Sequence, residues 1–100
     1  VVLPDFSSEE DLDWAAQRIA TFSNYQGGQS CISVQRVIAD AAVYDRLLPR
    51  IVAAVEAQVT GDPSEDGTDV GPLVSARAGA ICVSVTAIPV SVTLPVFVTV

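Results

Sequence analysis

Two cysteines, Cys31 and Cys82, are the strongest potential nucleophiles in this 100-residue chain. Cys31 directly follows residues 27–30, Gly-Gly-Gln-Ser, and glycine there lets the backbone approach a bound molecule closely. An accessible, stabilised thiolate is the form of cysteine that attacks a carbonyl carbon. Cys82 lies in an apolar run, which is typical of plain packing, and most free cysteines are buried and inert. Cys31 by itself therefore does not establish catalysis.

The composition excludes several other kinds of site. Histidine is absent, and two cysteines make up neither a structural zinc site nor a disulfide framework. The acids between Asp5 and Asp13 lack a ligand spacing and are expected to form the solvated first turn of a helix, so no metal is predicted. A net charge of -7 opposes binding to nucleic acid or to anionic membranes. No basic region with an apolar stretch opens the chain, so we expect no signal peptide and a cytoplasmic location.

A helix is predicted ahead of Cys31, from about Ser8 to Phe22. Ser7 is the expected N-cap, and Glu10 three residues later completes a capping box. One apolar stripe at helical spacing supports the helix; it comprises Leu12, Ala15, Ala16, Ile19 and Phe22. Residues 26–28, Gln-Gly-Gly, then predict a loop or tight turn that leads into the cysteine.

A short strand and a second helix are predicted after the cysteine. Val37 and Ile38 indicate the strand, and residues 1–3 are read as the end of another strand. The second helix is expected from about Ala41 to Gln58, on an apolar repeat of four residues. Pro49 lies inside that repeat, and it predicts a kink or a break because proline removes a backbone hydrogen bond.

The last quarter of the chain differs from the rest. All seventeen charged residues lie at or before Arg77, and residues 78–100 carry none. From residue 83 onward, apolar and polar residues alternate with a period of two, which predicts strands that Pro89 and Pro95 interrupt. The uncharged stretch is long enough to span a bilayer, but the prolines and the β-rich composition oppose a transmembrane helix.

The sequence Gly28-Gln29-Ser30-Cys31, together with residues 32–37, resembles the active-site cysteine segment of the aldehyde dehydrogenase superfamily. Further stretches resemble the same family in the same order: residues 1–5 with 11–13, Asn24, residues 43–45, and residues 61–63 with 68–73. The resemblance covers residues 1 to about 75, a partial catalytic domain. Residues 76–100 show no family counterpart and form a divergent, strand-like tail, for which a frameshift or premature end is one hypothesis.

The resemblance implies an α/β fold: a fragment of a doubly wound, Rossmann-like catalytic domain with two helices and a short strand. It implies that Cys31 attacks an aldehyde to give a thiohemiacetal, with its backbone N–H as one donor to the oxyanion. Hydride then passes to NAD or NADP, and water hydrolyses the resulting thioester. The family's general base and dinucleotide-binding domain have no counterpart here. We therefore assign no cofactor-binding residue and expect the chain alone to be inactive, although the parent family is usually homo-oligomeric.

Two other functions stay open. The chain could be a non-catalytic fragment that docks on intact dehydrogenase subunits. It could also be a membrane-associated product of the apolar residues 78–100.

Overall fold

The computed structural model describes residues 1–78 and the backbone of residues 96–99. The elements of the described residues are, in chain order, α1 Glu9–Asn24, a 3-10 turn Tyr25–Gly28, β1 Arg36–Ala39, α2 Ala41–Glu56 and β2 Val96–Thr99. Helices and parallel strands in one unit confirm the predicted α/β class. Cys82, and the alternating strands predicted between residues 83 and 94, lie outside the described residues.

The N-cap of α1 lies one residue later than predicted. The cap is Ser8 and not Ser7, because Ser8 has extended backbone angles (φ -70°, ψ 157°) and its hydroxyl accepts a hydrogen bond from the Asp11 N–H at 3.0 Å. The same hydroxyl donates to Asp11 Oδ2 at 2.5 Å. The helix continues two residues beyond Phe22, so that its end at Asn24 adjoins the turn that leads to the cysteine.

β1 lies between two parallel neighbours. On one side the Val2 N–H donates to Ile38 O at 2.9 Å, and the Asp40 N–H donates to Val2 O at 3.0 Å. On the other side β2 pairs in parallel, with Arg36 opposite Val96 and the next three residues in register. The structure thus contains the predicted short strand, and in the N-terminal segment Val2 pairs with it as a strand residue would.

α2 runs without interruption through Pro49, so the helix does not break there. The Arg46 carbonyl, three residues before the proline, accepts a hydrogen bond from Arg50 Nη1 at 2.6 Å. The carbonyl that Pro49 leaves without its helical N–H donor is that of Asp45, four residues before the proline. Asp40 caps the helix by accepting from the Ala42 N–H at 2.8 Å, and the helix ends at Glu56, two residues earlier than predicted.

The core is the interface between α1, α2 and β1. Its most buried large side chains project from the facing stripes of the two helices; they are Leu12, Val43, Leu47, Ile51 and Val55. Burial of such side chains is worth about 1.5–3 kcal/mol each and dominates the stability of a unit this small. Within the described residues, no helix has the length and apolar character needed to cross a bilayer.

Ion pairs join the exposed edges of the same two helices. Glu9 bonds both Arg46 and Arg50, and Asp13 Oδ1 accepts from Arg50 Nε at 2.8 Å. The first-turn acids were expected to be solvated, and these two are exposed but paired. Among the described residues, no group of three acids or cysteines is arranged to hold a metal ion.

Candidate active-site loop

The bend after α1 is built from three successive residues in the left-handed region of backbone space. Gln26 has φ 52° and ψ 40°, and Gly27 and Gly28 have φ 66° and 76°. Glycine adopts these angles at little cost, whereas a side chain such as that of Gln26 is strained there. The glycine pair therefore permits a reversal of the chain immediately before the cysteine.

Cys31 is exposed and occupies a tight turn. The turn is closed by the Ser33 N–H, which donates to Ser30 O at 3.0 Å. The Val34 N–H donates to Phe22 O at 3.1 Å and ties the end of the turn back to α1. The thiol is thus held at the surface, outside any helix or strand, as an attacking sulfur requires.

The backbone N–H of Cys31 takes part in no hydrogen bond within the described part of the chain. The neighbouring amides differ, because the Ile32 N–H donates to Ser30 Oγ at 3.4 Å and the Ser33 N–H closes the turn. Because no described residue accepts from this N–H, its direction is set by the turn from Ser30 to Ser33. The N–H is available to an oxygen on a carbon bonded to the Cys31 sulfur, which is the arrangement of an oxyanion donor.

Gln29 connects this loop to a distant segment, a role that the sequence did not reveal. Its Nε2 donates to the carbonyl O of Gln26 at 2.7 Å, and its Oε1 accepts from the Val74 N–H at 2.9 Å. The resemblance included Gln29 within the cysteine motif but assigned it no function. The signal in the sequence that could have indicated this contact was a polar side chain two residues before Cys31.

An open cleft of about 540 Å³ adjoins the loop. It is lined by Gln26, Gln29, Gly71, Pro72 and Val74, and Cys31 is not part of its lining. A second depression, of about 360 Å³, lies between the N-terminal segment, α1 and β1. Cys31 belongs to the lining of neither depression, and its turn adjoins the larger one through Gln29.

Residues 59–74 bring the opposite wall of the cleft into place. The Gly61 N–H donates to Val70 O at 3.1 Å, and the Val59 N–H donates to Asp69 Oδ2 at 2.9 Å. Inside this closed loop the hydroxyl and the N–H of Ser64 both donate to Asp62 Oδ1. These hydrogen bonds, the hydroxyl's first, lower the pKa of Asp62 below its ordinary value of 3.8.

The strand-to-helix junction among the described residues differs from a glycine-rich dinucleotide-binding turn. This junction, from β1 to α2, contains no glycine, and the Asp40 carboxylate occupies the helix N-terminus. A carboxylate at that position repels a pyrophosphate, which needs glycine backbone and free N–H groups. The junction from β1 to α2 therefore lacks the features of a pyrophosphate-binding turn.

Comparison with known proteins points to one family. The sequence profile of the "Aldehyde dehydrogenase family" matches residues 2–89, which extends past residue 75. The chain is 47% identical over 68 residues to a vanillin dehydrogenase of Corynebacterium glutamicum, covering 68% of this chain and 14% of that protein. It is 44% identical over 63 residues to an NADP(+) succinate-semialdehyde dehydrogenase of Mycobacterium leprae, covering 63% of this chain and 14% of that protein.

A solved structure gives the same result. The fold aligns with a 1-pyrroline-5-carboxylate dehydrogenase from Thermus with bound NAD at a TM-score of 0.67 and 31% identity. The alignment covers 74% of this chain and 14% of that one. The chain therefore spans about 14% of the length of these relatives.

Proposed function

This chain belongs to the aldehyde dehydrogenase family, and we propose that it carries the nucleophile of an enzyme that oxidises an aldehyde to a carboxylic acid. The observation that carries the proposal is the exposed Cys31 in a tight turn behind a glycine bend. We propose further that β1 and α2 are one unit of a doubly wound, Rossmann-like domain. The parallel neighbours on both sides of β1 support this arrangement.

In the proposed first step, the Cys31 thiolate attacks the carbonyl carbon of the aldehyde. A carbon–sulfur bond forms while the π electrons of the C=O bond move to oxygen, and protonation of that oxygen gives a thiohemiacetal. The free N–H of Cys31 is the donor that this chain offers to the developing oxyanion. The turn from Ser30 to Ser33 orients the sulfur and this N–H together.

Oxidation of the adduct needs a hydride acceptor, and the described residues hold none. We propose NAD or NADP for the complete enzyme, because one relative is named for NADP(+) and the Thermus structure contains NAD. The chain alone is then expected to be inactive as a dehydrogenase. Titration of the purified chain with NAD and with NADP tests this expectation, and binding in the micromolar range contradicts it.

The proposed partners and location follow from the same chemistry. The substrate is a small aldehyde, the complete enzyme is a homo-oligomer as is usual in this family, and no metal takes part. We propose a cytoplasmic location, because a reducing compartment keeps a nucleophilic thiol free.

The nucleophile is tested with a ¹³C-labelled aldehyde and the 100-residue chain. We expect a thiohemiacetal carbon signal in the unsubstituted chain and in Cys82→Ser, more stable than the adduct of an unstructured peptide with residues 28–34. Cys31→Ser should abolish that signal. An adduct that forms only at Cys82, or one at Cys31 no more stable than the peptide adduct, contradicts the assignment.

A further inference from the structure

We infer that Gln29 is a positioning residue that holds the Cys31 turn against the segment of residues 71–74. The inference rests on the proposed function, because the placement of this turn matters to chemistry only if Cys31 is the nucleophile. It adds a residue and a distant segment to the machinery of that reaction.

The two ends of the Gln29 amide bind two different parts of the chain. Nε2 donates to Gln26 O at 2.7 Å and closes the left-handed bend on itself. Oε1 accepts from the N–H of Val74, 45 residues later, at 2.9 Å. Because Ser30 begins the Cys31 turn at the next residue, the backbone on the N-terminal side of the nucleophile is fixed by these two bonds.

Packing at Gly27 reinforces the same contact. A Cβ atom added there would lie 3.3 Å from Gln29 Nε2 and 3.4 Å from Leu73 Cδ2, so the bend and the segment already touch closely. The segment is itself anchored through the hydrogen bond from the Gly61 N–H to Val70 O, just after α2. A continuous series of contacts thus leads from the end of α2 to Cys31.

A purely structural role for Gln29 predicts a different result from a positioning role. A structural tie changes the stability of the chain and leaves the Cys31 turn as it was. A positioning residue also changes the turn beyond the cysteine, at Ser33, whose N–H is hydrogen-bonded to Ser30 O and not to Gln29. It changes the reactivity of the thiol as well.

The first measurement is amide hydrogen exchange by NMR on the full chain. Gln29→Met keeps the length of the side chain and removes both hydrogen bonds, and the exposed Gln35→Met is the matched control. We expect the Val74 amide to exchange roughly three- to tenfold faster in Gln29→Met, as the loss of one hydrogen bond implies. The Ser33 amide should also exchange faster, while that of Ala57 at the end of α2 stays unchanged.

Gln29→Glu provides a second variant should Gln29→Met not fold. Its carboxylate can still accept from the Val74 N–H but cannot donate to Gln26 O at neutral pH. We expect Val74 to remain protected in this variant. Exchange at Val74 that is equally fast in the Met and Glu variants, or unaffected by both, overturns the inference.

The second measurement is the rate at which iodoacetamide alkylates Cys31, across pH, in a Cys82→Ser background. In Gln29→Met the rate profile should move toward that of the unstructured peptide of residues 28–34, and in Gln35→Met it should not move. An unaltered profile in Gln29→Met, with faster exchange at Val74, overturns the positioning role. Failure of the proposed function is distinct, because it appears in the unsubstituted chain as a Cys31 adduct no more stable than that of the peptide.

Discussion

Asn24 Nδ2 donates a hydrogen bond to Gln58 Oε1 at 2.5 Å, which joins the last residue of α1 to a position just beyond α2. Gln58 Nε2 in turn donates to Ala20 O at 3.3 Å. The two helices are therefore linked at the point where one leads into the cysteine loop and the other into residues 59–74. This contact therefore helps to set the positions of the cysteine loop and of residues 59–74 relative to each other.

The contact between Asn24 and Gln58 should be measurable as a coupling. Asn24→Ala should lower the free energy of unfolding by about 0.5–1.5 kcal/mol, because it removes one half-buried hydrogen bond. Gln58→Ala should cost more, because it also removes the bond to Ala20 O. The double variant should lose less than the sum, and urea denaturation of the four chains gives the difference. Gln17→Ala, on the exposed side of α1, is the control; strictly additive losses would show that the two amides do not interact.

Removal of one methyl group should destabilise the chain more in the core than in the cysteine turn. Ile51→Val should lower the free energy of unfolding by about 0.5–1.5 kcal/mol, because Ile51 is 0% exposed between the helices. Ile32→Val is the matched change at a residue that is 64% exposed, and its effect should stay within about 0.5 kcal/mol. Equal effects in thermal or urea unfolding would place the core elsewhere.

Gln26→Gly should stabilise the chain. A left-handed conformation costs a residue with a side chain about 1–2 kcal/mol, and glycine removes this cost. The greater freedom of glycine in the unfolded state offsets about 0.5–1 kcal/mol of the resulting stabilisation. A net increase near 1 kcal/mol in the free energy of unfolding is expected. Gln35→Gly, at a position without a positive φ, should instead be destabilising; a loss in both variants would contradict the strain at Gln26.

Asp62 should remain ionised below pH 3.8 in the folded chain. Because its folded pKa lies below the ordinary value, its contribution to stability is present above pH 3.8 and is lost as the pH falls through the folded pKa. A ¹³C NMR titration of the carboxyl carbon measures the midpoint. Ser64→Ala removes the hydroxyl donor and should move the midpoint up toward 3.8. An unchanged midpoint would show that the Ser64 hydroxyl does not lower the pKa of Asp62.

The helices and β1 could be predicted because their signals are local. The apolar stripe from Leu12 to Phe22 and the repeat through Leu47 and Ile51 specify which face of each helix is buried, and the packing follows. The choice of Ser8 over Ser7 as the cap depends on backbone angles that both serines could adopt. The continuity of α2 through Pro49 depends on the burial of Leu47 and Ile51 on either side of it, which outweighs the local cost of proline.

The position of Cys31 in an exposed turn could also be anticipated, since glycine at 27 and 28 permits the bend. The hydrogen bond from Val74 to Gln29 could not, because 45 residues separate the partners and neither lies in a periodic pattern. Its formation depends on how residues 59–70 fold back on themselves. Family resemblance predicted that Cys31 is the nucleophile, but only the three-dimensional structure shows that its loop contacts residues 71–74.

The pairing of Arg36 with Val96 bears on the order in which the chain folds. These partners are 60 positions apart (96 minus 36), whereas only residues 25–40 separate α1 from α2. The entropy lost on closing so long a loop must be offset before the parallel ladder contributes, so contacts of this range form late and slowly. We therefore expect α1 and α2 to pack together first, and the association of β1 with β2 to limit the rate of folding.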